Sequence, residues 1–254
     1  MTIELLLLFL VAFAAGFADA IVGRGGLIQT PAGLISRSQY PVSTVIGTLK
    51  IPAFSGTAFA SAQYARKVAL NYNQLAAMTT VALVATFCGS KLLTMISNVF
   101  MKPYLLFILT GVLIYTYANN KFGNHSSRSH NSKTQWIIIL LISLLLGFYD
   151  GFIGTGAGSF LIMVFISFLG FNFLKASAHA KFVNLAANLG SIAFFAISGK
   201  IIYSIAIPMA VCNGLGGILG ARLAILKGNK FIRIFFLIVV SGTIIRFAYD
   251  VFFR

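Results

Sequence analysis

Acidic side chains are nearly missing from this chain. Of its 254 residues only Glu4, Asp19, Asp150 and Asp250 are acidic, against 19 Lys and Arg, and all charged residues together make up 9%. A soluble domain carries about 25% charged residues. Polar stretches are scarce too: the single long one is NNKFGNHSSRSHNSKTQ, residues 119–135. These absences exclude a separate soluble domain. No nucleophile–base pair and no cluster of metal ligands stands out, so an enzyme is the least expected class and no cofactor or metal is expected. His125 and His130 lie in the polar stretch without cysteines beside them, which argues against a metal site. No ATPase motif is present. The Gly-rich runs lack the βαβ context of a nucleotide site. There are two cysteines, Cys88 and Cys212, both inside apolar segments, and they say little about redox compartment.

What the chain does have is apolar sequence, 59% of it. Runs of roughly 20 apolar residues recur from end to end, long enough to span a bilayer as helices. The expected class is an all-α polytopic membrane protein. The net charge of +15 does not indicate nucleic acid, because the basic residues sit singly in short loops, where they orient helices. The N-terminus MTIELLLLFLVAFAAGFADA lacks the positive start of a signal peptide and carries Glu4 instead, so it is read as a first helix.

The chain is also duplicated. Asp19 and Asp150 stand 131 residues apart, as do Lys50 and Lys181, and as do GSKLL at Gly89 and GARLA at Gly220, which aligns Lys91 with Arg222. Three polar landmarks sharing one offset mark an internal repeat. The halves are residues 1–119 and 135–254, joined by a polar linker over 120–134. Each half reads as five helical pieces: 3–22, 26–37, 42–66, 73–96 and 101–119, then 135–153, 157–170, 174–198, 202–226 and 231–252. The second piece of each half is too short to span, and a Gly-rich break precedes it, which predicts a broken or re-entrant helix. If the halves are inverted, loop Lys and Arg divide 9 against 4 across the membrane; if parallel, 7 against 6. The positive-inside rule therefore favours inverted halves, with the linker cytoplasmic and both termini outside.

The scarce aspartates fall just before those breaks, in GFADAIVGRGG and GFYDGFIGTGAG. A carboxylate at bilayer depth needs a partner. The repeat suggests pairing within each half, Asp19 with Lys50 and Asp150 with Lys181. These pairs either tie the fold together or position a lysine for a ligand. The breaks place Gly23, Arg24, Gly25 and Gly26 in one half, and Thr155, Gly156 and Gly158 in the other, at helix N-termini. Unpaired backbone N–H groups and the positive dipole end make such a terminus an anion site, and duplicated discontinuous helices mark transporter binding sites. Lys181, Asn184 and Asn188 fall on one helix face, and Lys50, Thr57 and Ser61 on its counterpart. His179 is a candidate proton carrier or a plain hydrogen-bonded histidine. Counting Arg24, Lys50, Lys91, Lys181 and Arg222 against Asp19 and Asp150, the embedded charge is positive and favours an anion.

The runs GFADAIVGRGGLIQTPAGL, GTLK at Gly47, GFYDGFIGTGAGSF and AHAKFVNLAANLGS at Ala178 together resemble the TauE/SafE family of membrane permeases, over essentially the whole chain. The resemblance implies a bacterial inner-membrane secondary transporter of sulfite or an organosulfonate such as sulfoacetate. One departure is Arg24, where the family's first motif usually has glycine. It either adds a bidentate anion contact or occludes the site. The implied partners are a small anion and the lipid bilayer, with no nucleic acid; a homodimer is an open option. Two rivals stay open: an anion channel of the same fold, and a thiol-redox or assembly protein. The latter needs Cys88 and Cys212 to meet, and at 124 residues apart they are not repeat equivalents.

Overall fold

The computed structural model describes residues 3–23, 25–95 and 132–252. Among these the chain is helical throughout. The elements are α1 (Ile3–Val22), α2 (Gly25–Ser36), α3 (Val42–Ala65), α4 (Tyr72–Met95), α5 (Ser132–Phe152), α6 (Ala157–Leu169), α7 (Phe173–Ile197) and α8 (Tyr203–Phe252). Gly228, with φ 68° and ψ −161°, breaks α8 where the sequence predicts two pieces. The polar stretch turns helical from Ser132 onward, earlier than the expected start at 135. The expected piece over 101–119 and residues 120–131 of the linker lie outside the described residues.

Local chemistry sets several of these boundaries. The short α6 is bracketed by glycines in the left-handed region, Gly156 at φ 80° and Gly170 at φ 65°. A side chain is strained there, so glycine is the residue that starts and stops the helix. At the head of α7 the Asn172 side chain accepts the Lys175 N–H at 2.8 Å, the usual N-cap bond. Five helices are long and apolar enough to cross a membrane: windows in α1, α4, α5, α7 and α8. The chain is a multi-pass membrane protein. The 24-residue α3 has the length but carries Ser, Thr, Lys and Gln along its course.

Without a hydrophobic drive between helices in lipid, close backbone approach holds them together. Here the first helix of each half packs on the fourth helix of the other, α1 on α8 and α5 on α4. A Cβ at Gly220 would fall on the Phe17 carbonyl, and one at Gly89 on the Phe148 carbonyl. These two contacts are repeat equivalents, since 89 and 220, and 17 and 148, each differ by 131. Likewise Gly214 meets Phe59 and Gly190 meets Leu83. At the centre, α3 crosses α7. There Asn188 Nδ2 lies 3.5 Å from Thr57 Oγ1, and these residues are themselves 131 apart. At this crossing a residue touches its own sequence counterpart.

Candidate functional site

The two breaks meet beside that crossing. A Cβ at Gly23 would fall on Gly158, one at Gly158 within 2.8 Å of Gly23 Cα, and one at Gly26 within 3.3 Å of Thr155 Cα. Backbone thus lies against backbone between the start of α2 and the start of α6. Ser159 Oγ stitches the contact by donating to the Val22 carbonyl at 2.7 Å.

The aspartates do not pair within their halves as the repeat suggested. Lys50 Nζ, on α3, donates to Asp150 Oδ1 at 3.0 Å and to the Asp150 carbonyl at 2.9 Å. Lys181 Nζ, on α7, donates to Asp19 Oδ2 at 2.6 Å. Each lysine reaches the break of the opposite half. The physical reason is the interleaving: α3 and α7 cross, which carries the lysine of one half to the aspartate of the other. Asp19 has a second task, because its Oδ1 accepts the N–H of Gly25 at 3.1 Å. It caps the broken helix α2 and neutralises a buried lysine together, which accounts for a scarce carboxylate placed just before a helix start.

Beside these pairs lies a cavity of about 60 Å³, bordered by both breaks, by α3 and α7, and by α8. Of the residues expected at a site, Gly23, Gly25, Gly26, Lys50, Gly158, Asn184 and Asn188 line it, with Asp19 and Asp150. Thr57 lines it as well. Thr155 and Gly156 are buried in the turn before α6 and are not among the lining residues. Lys181 is 0% exposed and sealed behind Asp19, whereas the Lys50 and Asp150 side chains are each 8% exposed. Ser61 is buried one turn past Thr57 and does not line the cavity. Arg24 lies outside the described residues.

His179 is elsewhere. Its Nδ1 is 2.8 Å from the Lys175 carbonyl, and its ring packs 4.8 Å from that of Phe171 and 6.4 Å from that of Phe165. Lys91 and Arg222 are exposed on the outer face of α4 and α8. Lys91 and Arg222 therefore add nothing to the embedded positive surplus read from the sequence. Among the described residues at the centre, two lysines face two aspartates, and the sum is zero. What the described residues offer an anion is the accessible Lys50 ammonium, the breaks, and neutral donors.

Several of those donors have no repeat counterpart of the same kind. Asn213 on α8 donates to Gln29 Oε1 at 2.8 Å, and Gln29 Nε2 donates to the Leu49 carbonyl at 3.2 Å. Both line the cavity, with Thr30. The positions 131 residues away are Ala82 and Phe160. A search by repeat offset passes over them; the signal that finds them is an amide inside an apolar helix.

Comparison with known proteins finds similarity along nearly the whole chain. A family model described as "Sulfite exporter TauE/SafE" matches residues 8–247. The chain is similar to a "Probable membrane transporter protein" of Haemophilus influenzae, 35% identical over 246 residues, covering 97% of this chain and 95% of the relative. It is 33% identical over 243 residues to "Probable membrane transporter protein ORF9" of Sinorhizobium sp, covering 96% and 92%. It is 31% identical to "Probable membrane transporter protein YfcA" of Escherichia coli K12, covering 96% and 89%. No solved structure gives a significant match. The family match over nearly the whole chain and these relatives together make the chain a member of the TauE/SafE family of membrane transporters.

Proposed function

We propose that this chain is a secondary transporter that carries a small anion, sulfite or an organosulfonate such as sulfoacetate, across the bacterial inner membrane by alternating access. One observation carries the reading: a single central cavity is bounded by both broken helices, by Lys50, and by the amides of Gln29, Asn184, Asn188 and Asn213. A helix start offers backbone N–H groups to an anion, and the glycines let it approach closely.

Alternating access needs two halves that rock about the site, and we take the halves to be inverted. Gly47 lies beside Phe195 while Thr57 lies beside Asn188, so numbers rise along α3 as they fall along α7. Equivalent helices running antiparallel support a pseudo-twofold axis in the membrane plane. The loop charge bias of 9 against 4 points the same way.

The test is uptake of labelled sulfite and sulfoacetate by purified protein in liposomes, with Asn188→Ala as the cavity variant. Saturable uptake and counterflow are expected from wild type, and a clearly raised KM from the variant. Flux that neither saturates nor counterflows assigns a channel instead. No flux of either anion removes the anion reading.

A further inference from the structure

The two crossed ion pairs are built differently. In one, Lys181 is sealed at 0% exposure and Asp19 has both carboxylate oxygens engaged, by Lys181 and by Gly25. In the other, Lys50 and Asp150 both stand on the cavity wall. Lys50 Nζ is also 3.1 Å from where a Cβ of Gly154 would stand, so the missing side chain leaves that approach to the ammonium clear. An anion in the cavity can reach Lys50 and not Lys181.

We infer that the transported anion takes Lys50 from Asp150, and that Asp150 then accepts a proton from the same aqueous phase, so that one proton moves with each monovalent anion. The inference rests on the anion reading of this cavity. Charge decides it. Among the described residues the centre is neutral, with two lysines and two aspartates. An anion that engages Lys50 leaves the Asp150 carboxylate unpaired at bilayer depth, at a cost of several kcal/mol. One proton on that carboxylate removes the stranded charge: the anion adds one negative charge, the proton one positive, and the sum over the described residues of the centre is again zero. Among the described residues the charged or titratable groups facing Asp150 are Lys50 from α3 and, across the cavity, Asp19 from α1 with Lys181 from α7 behind it. On its own helix the neighbouring Tyr149 hydroxyl is committed to the Thr155 carbonyl at 2.8 Å. From α4 the facing side chains are neutral, Ser90 and Thr86, bonded to the Gly151 and Gly147 carbonyls. Asp150 is thus the group on the wall whose partner an anion can remove.

The experiment uses the full chain in liposomes with methanesulfonate, whose anion holds no proton of its own near neutral pH, and with sulfite in parallel. Methanesulfonate uptake is expected to acidify the lumen, reported by a trapped pH dye, and to be indifferent to a potassium–valinomycin potential. At equilibrium a one-unit pH difference should hold about tenfold accumulation. In Asp150→Asn, which fixes the neutral form, that accumulation is expected to be lost, whatever anion enters settling at a ratio near one. Saturable uptake without acidification, driven by the potential, overturns the inference while leaving the anion reading intact. Absence of uptake and counterflow for both anions overturns both. The dye measurement on wild type decides the matter even where the variant does not fold.

Discussion

Replacing Lys181 by methionine tests the crossed pairing directly. Lys181 is 0% exposed and Asp19 21%, so the substitution strands a mostly buried carboxylate. Removing one partner of a buried pair costs about 3–5 kcal/mol. Asp19 keeps its bond from Gly25 and some exposure, which places the cost near the lower end, about 3 kcal/mol. For a chain of this size that lowers the melting temperature in detergent by roughly 6–12 °C. The crossed geometry then orders two double variants. Lys181→Met with Asp19→Asn removes both charges of one pair, keeps an acceptor for Gly25, and should regain most of the loss. Lys181→Met with Asp150→Asn strands Asp19 and Lys50 together and should fall by about twice the single cost. Pairing within halves gives the opposite order. Recovery in the second double variant and not the first refutes the crossed assignment.

Other consequences are as direct. Gly158→Ala puts a Cβ against Asn184 Nδ2 and the Gly23 backbone, and should raise KM for sulfite more than tenfold while the protein still extracts as a folded monodisperse species. Gly16→Val drives a side chain into the Asn213 carbonyl between α1 and α8 and should cost about 1–3 kcal/mol or more in detergent melts. Gly199→Ala, where nothing lies within 4 Å, should cost only the roughly 1–2 kcal/mol of its left-handed backbone at φ 64°. Cys88 and Cys212 are free thiols on α4 and α8, so the double Cys→Ala chain should transport at the wild-type rate. Loss of flux there would revive a thiol function.

The helices were legible because apolar length and glycine punctuation are local properties. The starts at Ile3 and Val42 and the break near Gly228 follow from them. The repeat was legible because polar residues are so few that a shared offset stands out. What the sequence hides is which half answers which. Asp19 and Lys50 are close along the chain, yet Lys181 is the partner, because pairing depends on α3 crossing α7. The offset also misled on charge. Lys91 and Arg222 are equivalent and yet exposed, since a long basic side chain at a helix face can reach outward from an apolar segment. And it was blind to Gln29 and Asn213, whose counterparts Phe160 and Ala82 carry no polar group.

The contact of Thr57 with Asn188 has a further meaning. In a dimer of identical single repeats, whatever stands on the axis faces a copy of itself: threonine would face threonine, and asparagine would face asparagine. Joining the halves into one polypeptide lifts that constraint. Once Thr57 and Asn188 are separate codons, the central crossing can differ on its two sides, as can the Gln29–Asn213 bond and its apolar counterpart. A chain whose halves differ at such positions can therefore give the two sides of one cavity unlike chemistry.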